Sequence, residues 1–115
     1  MKKLLTVAVA AMTLAGTVNA QTAGNAKAAE SKVAMCIGCH AIPGYRISYP
    51  EIYTVPLLGG QNAAYIVSAL QAYKKGERKH PTMRGIAGTL TDQDMADIAE
   101  YYAAQTSATT INKLK

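Results

Sequence analysis

The segment Cys36-Ile37-Gly38-Cys39-His40 decides how the rest of the chain is interpreted. If Cys36 begins a helical turn, Cys39 lies one turn further along on nearly the same face, and His40 projects from the end of that turn. These three side chains can clamp a flat macrocycle at two points on its rim and ligate the metal at its centre. The spacing is the attachment pattern of c-type haem.

The two cysteines allow other interpretations. A pair of cysteines in an exported protein suggests a disulfide, and a bridge between positions 36 and 39 is typical of thiol–disulfide oxidoreductases, in which the motif opens a helix after a strand. Here the stretch from Ala26 to Met35 has a helical composition, and no strand-like run precedes Cys36. We therefore expect thioether-bound haem, with a disulfide and a metal clip as the alternatives.

The first twenty residues predict a secretory signal peptide. Met1-Lys2-Lys3 is positively charged, residues 4–14 are apolar apart from threonines, and Val18-Asn19-Ala20 carries small residues at the positions that signal peptidase reads. The apolar stretch is too short to span a bilayer. We expect cleavage after Ala20 and a domain over residues 21–115; an uncleaved membrane anchor is the alternative.

The composition indicates one small domain that needs support for its core. A chain of this length buries a modest core, and it contains neither Phe nor Trp. A buried porphyrin would supply apolar volume that the side chains lack. The formal net charge of +5 is too small, and basic and aromatic residues are too little interleaved, to indicate nucleic-acid binding.

Three main helices are predicted, and no strand pattern is present. The first runs from Asn25 or Ala26 into the haem motif. The second covers about 62–75, with helical spacing of its apolar residues and Gly76 as a left-handed cap. The third follows Thr91, which begins a capping box with Asp94.

The third predicted helix runs to about Gln105, and residues 106–115 are expected to form a frayed tail. Its apolar face places Met95 in the core. We expect Asp94, Asp97 and Glu100 to face water.

Long loops are predicted over residues 41–60 and 77–90. Pro50 and Pro56 argue against regular structure in the first loop. Its three tyrosines either contact the haem edge or a propionate, or lie on the surface, and the sequence does not decide between these roles for Tyr45, Tyr49 and Tyr53.

A haem iron bound by His40 needs a sixth ligand or stays open for chemistry. Met35 directly precedes Cys36 and cannot reach the opposite face of the ring, and Met95 has a place in the core. Met83 lies between the second and third helices, about forty residues after His40, and could fold over the far face. His80 has the same access, so ligation by two histidines stays open.

The order of these features resembles the class I cytochromes c. A helix, Cys-x-x-Cys-His, a long loop, a helix, a methionine loop and a tyrosine-bearing helix follow one another over about residues 28–105. The segments Pro56-Leu57-Leu58-Gly59-Gly60-Gln61 and Pro81-Thr82-Met83 are similar to those of the small bacterial periplasmic members with one haem. They are equally similar to one half of the tandem members with two haems.

The resemblance implies an all-α cytochrome c fold, with three main helices and long loops around one covalently attached haem c. In it, Cys36 and Cys39 are the thioether attachments, and His40 and Met83 are the axial iron ligands. The carbonyl of Pro56 accepts the imidazole N–H of His40. The first and third helices cross, with Tyr102 or Tyr101 at the contact, and the loop after His40 is a few residues longer than usual.

The implied function is electron transfer rather than enzymatic catalysis. With His/Met ligation the protein is expected to be a periplasmic one-electron Fe(III)/Fe(II) shuttle. Its partners would be a membrane quinol–cytochrome c reductase or a dehydrogenase as donor, and a terminal oxidase or reductase as acceptor. The alternative is a haem c subunit held permanently in a periplasmic dehydrogenase complex. A haem enzyme or gas sensor would need an open sixth site.

A basic cluster surrounds the methionine segment in sequence. Cations at the end of the second helix suit the helix dipole, and this alone is one explanation. The other is a docking surface near the haem edge for an acidic redox partner. The cluster comprises Lys74, Lys75, Arg78, Lys79 and Arg84.

Overall fold

Four α-helices and one two-stranded ribbon make up the described part of the chain, which covers residues 22–49 and 51–106 of a computed structural model. The expected signal peptide over 1–20 and residues 107–115 of the expected tail lie outside the described residues. The mostly helical architecture confirms the all-α class. No helix within the described residues combines the length and the apolar character needed to cross a membrane.

The first predicted helix is divided into two pieces. A 3₁₀ turn covers Ala28–Ser31, and helix α1 covers Ala34–His40. Lys32 and Val33 between them keep right-handed backbone angles, so the chain stays on a helical path. The side chain of Asn25 accepts hydrogen bonds from the backbone N–H groups of Lys27 and Ala28. Asn25 thus acts as an N-cap at the start of the segment.

The expectation of an unbroken loop over residues 41–60 is wrong in one detail. Strands β1 (Arg46–Ile47) and β2 (Tyr53–Thr54) pair antiparallel, with Ile47 opposite Tyr53. The backbone N–H of Val55 then donates to the carbonyl of Tyr45 at 2.8 Å. Pro56 follows this ribbon, so the missing proline N–H does not interrupt the ladder.

Helix α2 (Ala63–Lys75) forms where the sequence predicts it. The side chain of Asn62 caps its first turn by accepting from Tyr65 N at 3.1 Å. Gly76 ends it with φ of 81°, in the left-handed region that a residue with a Cβ rarely adopts.

The sequence predicts a continuous loop over residues 77–90, and this prediction is wrong. Helix α3 covers Pro81–Gly88. Pro81 and the glycines at 85 and 88 suggest a loop. At the first helical position, however, proline lacks only an N–H that would have no helical partner, so it starts a helix well. The glycines lower helix propensity without preventing helix formation when tertiary contacts support it.

Helix α4 (Asp92–Ala103) begins with the predicted capping box of Thr91 and Asp94. It lies at the centre of the molecule and packs against α2 and the 3₁₀ turn. The core there confirms the positions of Met95 and Tyr102. Its buried members are Ala29, Val33, Ile66, Leu70, Ala87, Leu90, Met95, Ile98, Ala99, Tyr101 and Tyr102.

One face of α4 differs from the prediction. Asp97 is 2 % exposed instead of facing water. Its carboxylate binds Lys32 Nζ at 2.7 Å, and the same ammonium contacts Asp94 at 2.7 Å. A carboxylate can be buried when it is paired and hydrogen-bonded, and Lys32 provides that pairing from the amino-terminal segment.

Candidate haem site

The attachment motif lies beside a largely apolar cavity. Cys39 and His40 line this cavity, whose volume is about 570 Å³, in the usual range of cofactor pockets. Cys36, one turn earlier on α1, is half-buried and packs against the hydrophobic core. The two thiols and the imidazole therefore occupy one short helix at the edge of the cavity.

The imidazole of His40 is held by the loop that follows the ribbon. Its Nδ1 lies 2.7 Å from the carbonyl oxygen of Pro56. A carbonyl only accepts, so Nδ1 carries the proton and Nε2 keeps a free lone pair. A histidine ligand is usually oriented in this way by a hydrogen bond from its other ring nitrogen.

Met83 reaches the same cavity from the first turn of α3. It is half-buried, packs against the core and lines the cavity together with His40. His80 and Met35 also line it, whereas Met95 is fully buried in the core. The structure thus brings His40 and Met83 to one cavity, and it does the same for the alternative ligand His80.

The surroundings of Cys36 differ from those of a redox-active thiol. Both cysteines are free, and burial, with a smaller contribution from the neighbouring Cys39, raises the pKa of Cys36. Thiols of oxidoreductases have lowered pKa values, because the thiolate is the nucleophile. In the described residues no group of three or more His, Cys, Asp or Glu side chains is arranged to hold a metal ion. The raised pKa of Cys36 argues against a redox-active thiol pair.

The donor set and the walls of the cavity fit a haem. Cys36 and Cys39 would hold its rim, His40 and Met83 offer a nitrogen and a sulfur to its iron, and the walls are largely apolar. Covalently bound haem c is the cofactor that this chemistry indicates. The aliphatic part of the wall includes Ile47, Val55, Leu57, Leu58, Ile66, Ala69, Leu70 and Ile86.

Of the three loop tyrosines, Tyr53 lines the cavity, whereas Tyr49 is 85 % exposed. Two further tyrosines, Tyr65 and Tyr73, line the cavity from α2 and were not identified from the sequence. They lie eight residues apart on one helix, on the same face as Ala69. This i, i+4, i+8 spacing was the signal that could have found them.

The basic cluster divides into cations with different surroundings. Lys74 Nζ donates to the carbonyl of Leu90 at 2.5 Å, and the Arg78 guanidinium stacks over the Tyr73 ring at 4.6 Å. Arg78 and Lys79 both line the cavity. All five cations, with Lys75, Lys79 and Arg84 as the remaining members, are exposed. Part of the cluster is therefore structural, and part remains available at the cavity rim.

Comparison with known proteins gives the family. A family model described as Cytochrome c matches residues 23–104. Cytochrome c-554(548) of Halomonas halodenitrificans is 42 % identical over 72 % of this chain and 99 % of its own length. Cytochrome c4 of Pseudomonas aeruginosa is 37 % identical over 91 % of this chain and 49 % of its own length.

A solved structure gives the same result. The crystal structure of reduced recombinant cytochrome c4 from Pseudomonas stutzeri matches with a TM-score of 0.60 and 36 % identity, over 73 % of this chain and 47 % of that chain. The chain therefore spans about half the length of the cytochromes c4 that it matches. With the attachment motif and the cavity, these matches confirm the resemblance: this chain belongs to the cytochrome c family, whose members carry electrons by means of a c-type haem.

Proposed function

We propose that the protein is a periplasmic one-electron carrier with a single haem c, attached through Cys36 and Cys39 and ligated by His40 and Met83. The observation that carries this proposal is the imidazole of His40. Its Nδ1 is engaged by Pro56, which leaves Nε2 as a ligand beside a cavity that Met83 also lines. A single attachment motif in the sequence supports one haem.

The chain's own residues set the conditions for electron transfer. Haem iron bound in this way would cycle between Fe(III) and Fe(II), and a methionine ligand would favour the reduced state relative to two histidines. Leu58, Ile66 and Leu70 contribute apolar walls to the cavity, which would lower the local polarity around a bound haem. If His40 and Met83 both bound the iron, no position on the metal would remain for a substrate, and the group would supply one-electron transfer.

The signal-peptide pattern of residues 1–20 supports the periplasm as the compartment. There the partners would be a membrane quinol–cytochrome c reductase or a dehydrogenase as donor, and a terminal oxidase or reductase as acceptor. The alternative assignment is a permanent haem subunit of a periplasmic dehydrogenase. Purification from the native host distinguishes the two, because a permanent subunit would co-purify with a flavin, quinone or molybdenum protein.

The ligand assignment is tested with Met83→Ala. We expect the oxidised haem-loaded variant to lose the weak far-red absorption band that sulfur ligation of ferric haem gives, because the thioether is removed. Met35→Leu is the matched control, since Met35 lines the same cavity but precedes Cys36 directly, and it should keep the band. A band that survives in Met83→Ala would refute the assignment.

A further inference from the structure

We propose that His80 is a positioning residue for Met83: its imidazole caps helix α3 and fixes the backbone from which the Met83 thioether extends. This inference rests on the proposed function, in which Met83 is the second axial ligand. It assigns a role to His80, which the sequence analysis keeps as an alternative iron ligand to Met83.

The cap geometry is that of a helix start. His80 has extended backbone angles (φ −159°, ψ 103°), and its carbonyl accepts from Arg84 N at 2.9 Å, which closes the first helical turn. Its side-chain Nδ1 accepts from Met83 N at 3.4 Å. Pro81 at the first position has no N–H, so Met83, at the third position, presents one of the few donors that a cap can satisfy.

This hydrogen bond also determines the state of the ring. A backbone N–H can only donate, so Nδ1 of His80 must hold a lone pair and the proton of the neutral ring lies on Nε2. Neither nitrogen then has a lone pair available for iron. In this arrangement His80 supports the methionine ligand instead of competing with it.

The ring is held in place from two other elements. Its centroid lies 4.8 Å from that of Tyr53 in β2 and 6.4 Å from that of Tyr73 in α2, tilted by 53° and 78°. Tilted and edge-to-face pairs are favourable arrangements of aromatic rings. These contacts keep the imidazole where its Nδ1 can accept from Met83, and the hydrogen bond itself is what positions the methionine.

Two substitutions separate the cap from the ring. His80→Asn keeps a good capping acceptor but removes the imidazole, and His80→Ala removes both. In the oxidised haem-loaded protein we expect the Asn variant to keep the far-red band and the Ala variant to lose part of it. Amide exchange at Met83 should be about fivefold faster in His80→Ala than in His80→Asn, as a lost cap implies.

The outcomes are distinct from those for the proposed function. Equal bands and equal Met83 exchange in wild type, Asn and Ala would overturn the proposal while leaving Met83 as ligand. Equal loss in Asn and Ala would also overturn it, since the ring itself would then matter. Survival of the band in Met83→Ala would refute the ligand assignment irrespective of His80.

A measurement on the unmodified protein covers the case in which His80→Ala does not accumulate with haem. Nitrogen NMR of the haem-loaded protein reports which ring nitrogen of His80 carries the proton. A proton on Nε2 is the expected result and supports the cap. A proton on Nδ1 would contradict it, because that nitrogen could not then accept from Met83.

Discussion

The hydroxyl of Tyr102 is a buried polar group with no hydrogen-bond partner in the described part of the chain. The side chain is 2 % exposed. Burial is the main reason that its pKa is raised, and the nearby Cys36 and Tyr101 add to the effect. A buried hydroxyl without a partner lowers the stability of the folded state by about 1–3 kcal/mol. The ring of Tyr102 therefore stabilises the core, whereas its hydroxyl group destabilises it.

We expect Tyr102→Phe to leave the free energy of unfolding unchanged or to raise it by up to about 1 kcal/mol, because it removes the unpaired hydroxyl and keeps the ring. Tyr102→Leu, which also removes the ring, should lower it by roughly 1–3 kcal/mol. Denaturant titration of the haem-loaded protein measures both. A Phe variant destabilised as much as the Leu variant would show that the hydroxyl makes a favourable interaction.

For individual residues, the sequence shows residue types and their spacing, but it does not show which ring nitrogen of a histidine carries the proton. It selects His40, Met83 and His80 as possible ligands from their chemistry and their distance along the chain. It cannot distinguish the two histidines, because that distinction depends on which ring nitrogen meets which backbone group. Pro56 bonds to His40 Nδ1 as an acceptor, whereas Met83 bonds to His80 Nδ1 as a donor.

Among the elements, the contact between the amino-terminal segment and α4 is centred on the carboxylate of Asp97. Asp97 accepts from Lys32 Nζ at 2.7 Å and from Asn25 N and Gln93 Nε2, both at 2.8 Å. Gly24 lies so close to α4 that a Cβ there would overlap the carbonyl of Ala96. We call this group of contacts, made by Gly24, Asn25, Lys32, Gln93, Asp94, Ala96 and Asp97, the α4 clasp.

The α4 clasp should make stability depend on pH. Hydrogen bonding to Lys32 holds the pKa of Asp94 and of Asp97 below the ordinary value of 3.8, with help from Thr91 for Asp94 and from Asn25 for Asp97. A lowered folded-state pKa contributes stability that is complete above roughly pH 5 and is lost as the pH falls through the folded-state value. Lys32 has a raised pKa, so its contribution is lost only in strong alkali.

We expect Asp97→Asn to be less stable than wild type at pH 7. The gap in stability should be smaller at pH 3, because below the ordinary pKa of 3.8 the unfolded wild-type chain takes up a proton on Asp97 and the advantage of the paired carboxylate is partly lost. Urea midpoints at the two pH values provide the measurement. Glu100→Gln is the matched control, since Glu100 lies on α4 but is exposed, and it should differ little from wild type at either pH. A gap for Asp97→Asn of the same size at both pH values would contradict the role assigned to the clasp.

Helices α2 and α4 are predictable because each carries its own caps and its own apolar period. Helix α3 is not, because its proline and two glycines suggest a loop until the tertiary contacts are known. Asp97 is misplaced for a related reason. The spacing of apolar residues along α4 assigns the polar Asp97 to the face turned to water. Its burial becomes favourable only because Lys32, on another segment, pairs with its carboxylate.

For the whole molecule, the exposed cations at the cavity rim are the charges that a redox partner would meet if it approached the haem edge. Charge complementarity speeds encounter more than it strengthens the complex, and redox partners use small interfaces. Lys79 lines the cavity and is exposed. Lys74 is bound to the Leu90 carbonyl, which makes it a weaker candidate for contact with a partner.

We expect Lys79→Gln to lower the second-order rate of electron transfer with an acidic redox partner by about two- to fivefold at low salt, with the difference disappearing at high salt. Stopped-flow kinetics at several ionic strengths give the rate. Lys27→Gln removes an equal charge from an exposed site outside the cavity and should have a smaller effect. Equal effects would indicate that net charge alone matters, and no effect of Lys79→Gln would exclude this docking surface.

The overall fold follows from few residues. The spacing of Cys36, Cys39 and His40 and the position of Met83 predict the cytochrome c class, which the family match confirms. The ribbon over 46–54 was not predicted, because its strands have only two residues each and propensity gives little signal over so short a run.

That ribbon has a consequence for how the sequence can change. The β1–β2 pairing and the Val55–Tyr45 hydrogen bond close the base of the segment that leads to Pro56. We expect residues added or removed between Ile47 and Tyr53 to leave the contact between Pro56 and His40 in place. Natural variation in length should therefore concentrate at this position, and a peptide tag or an immobilisation handle inserted there should leave the orientation of the imidazole unchanged.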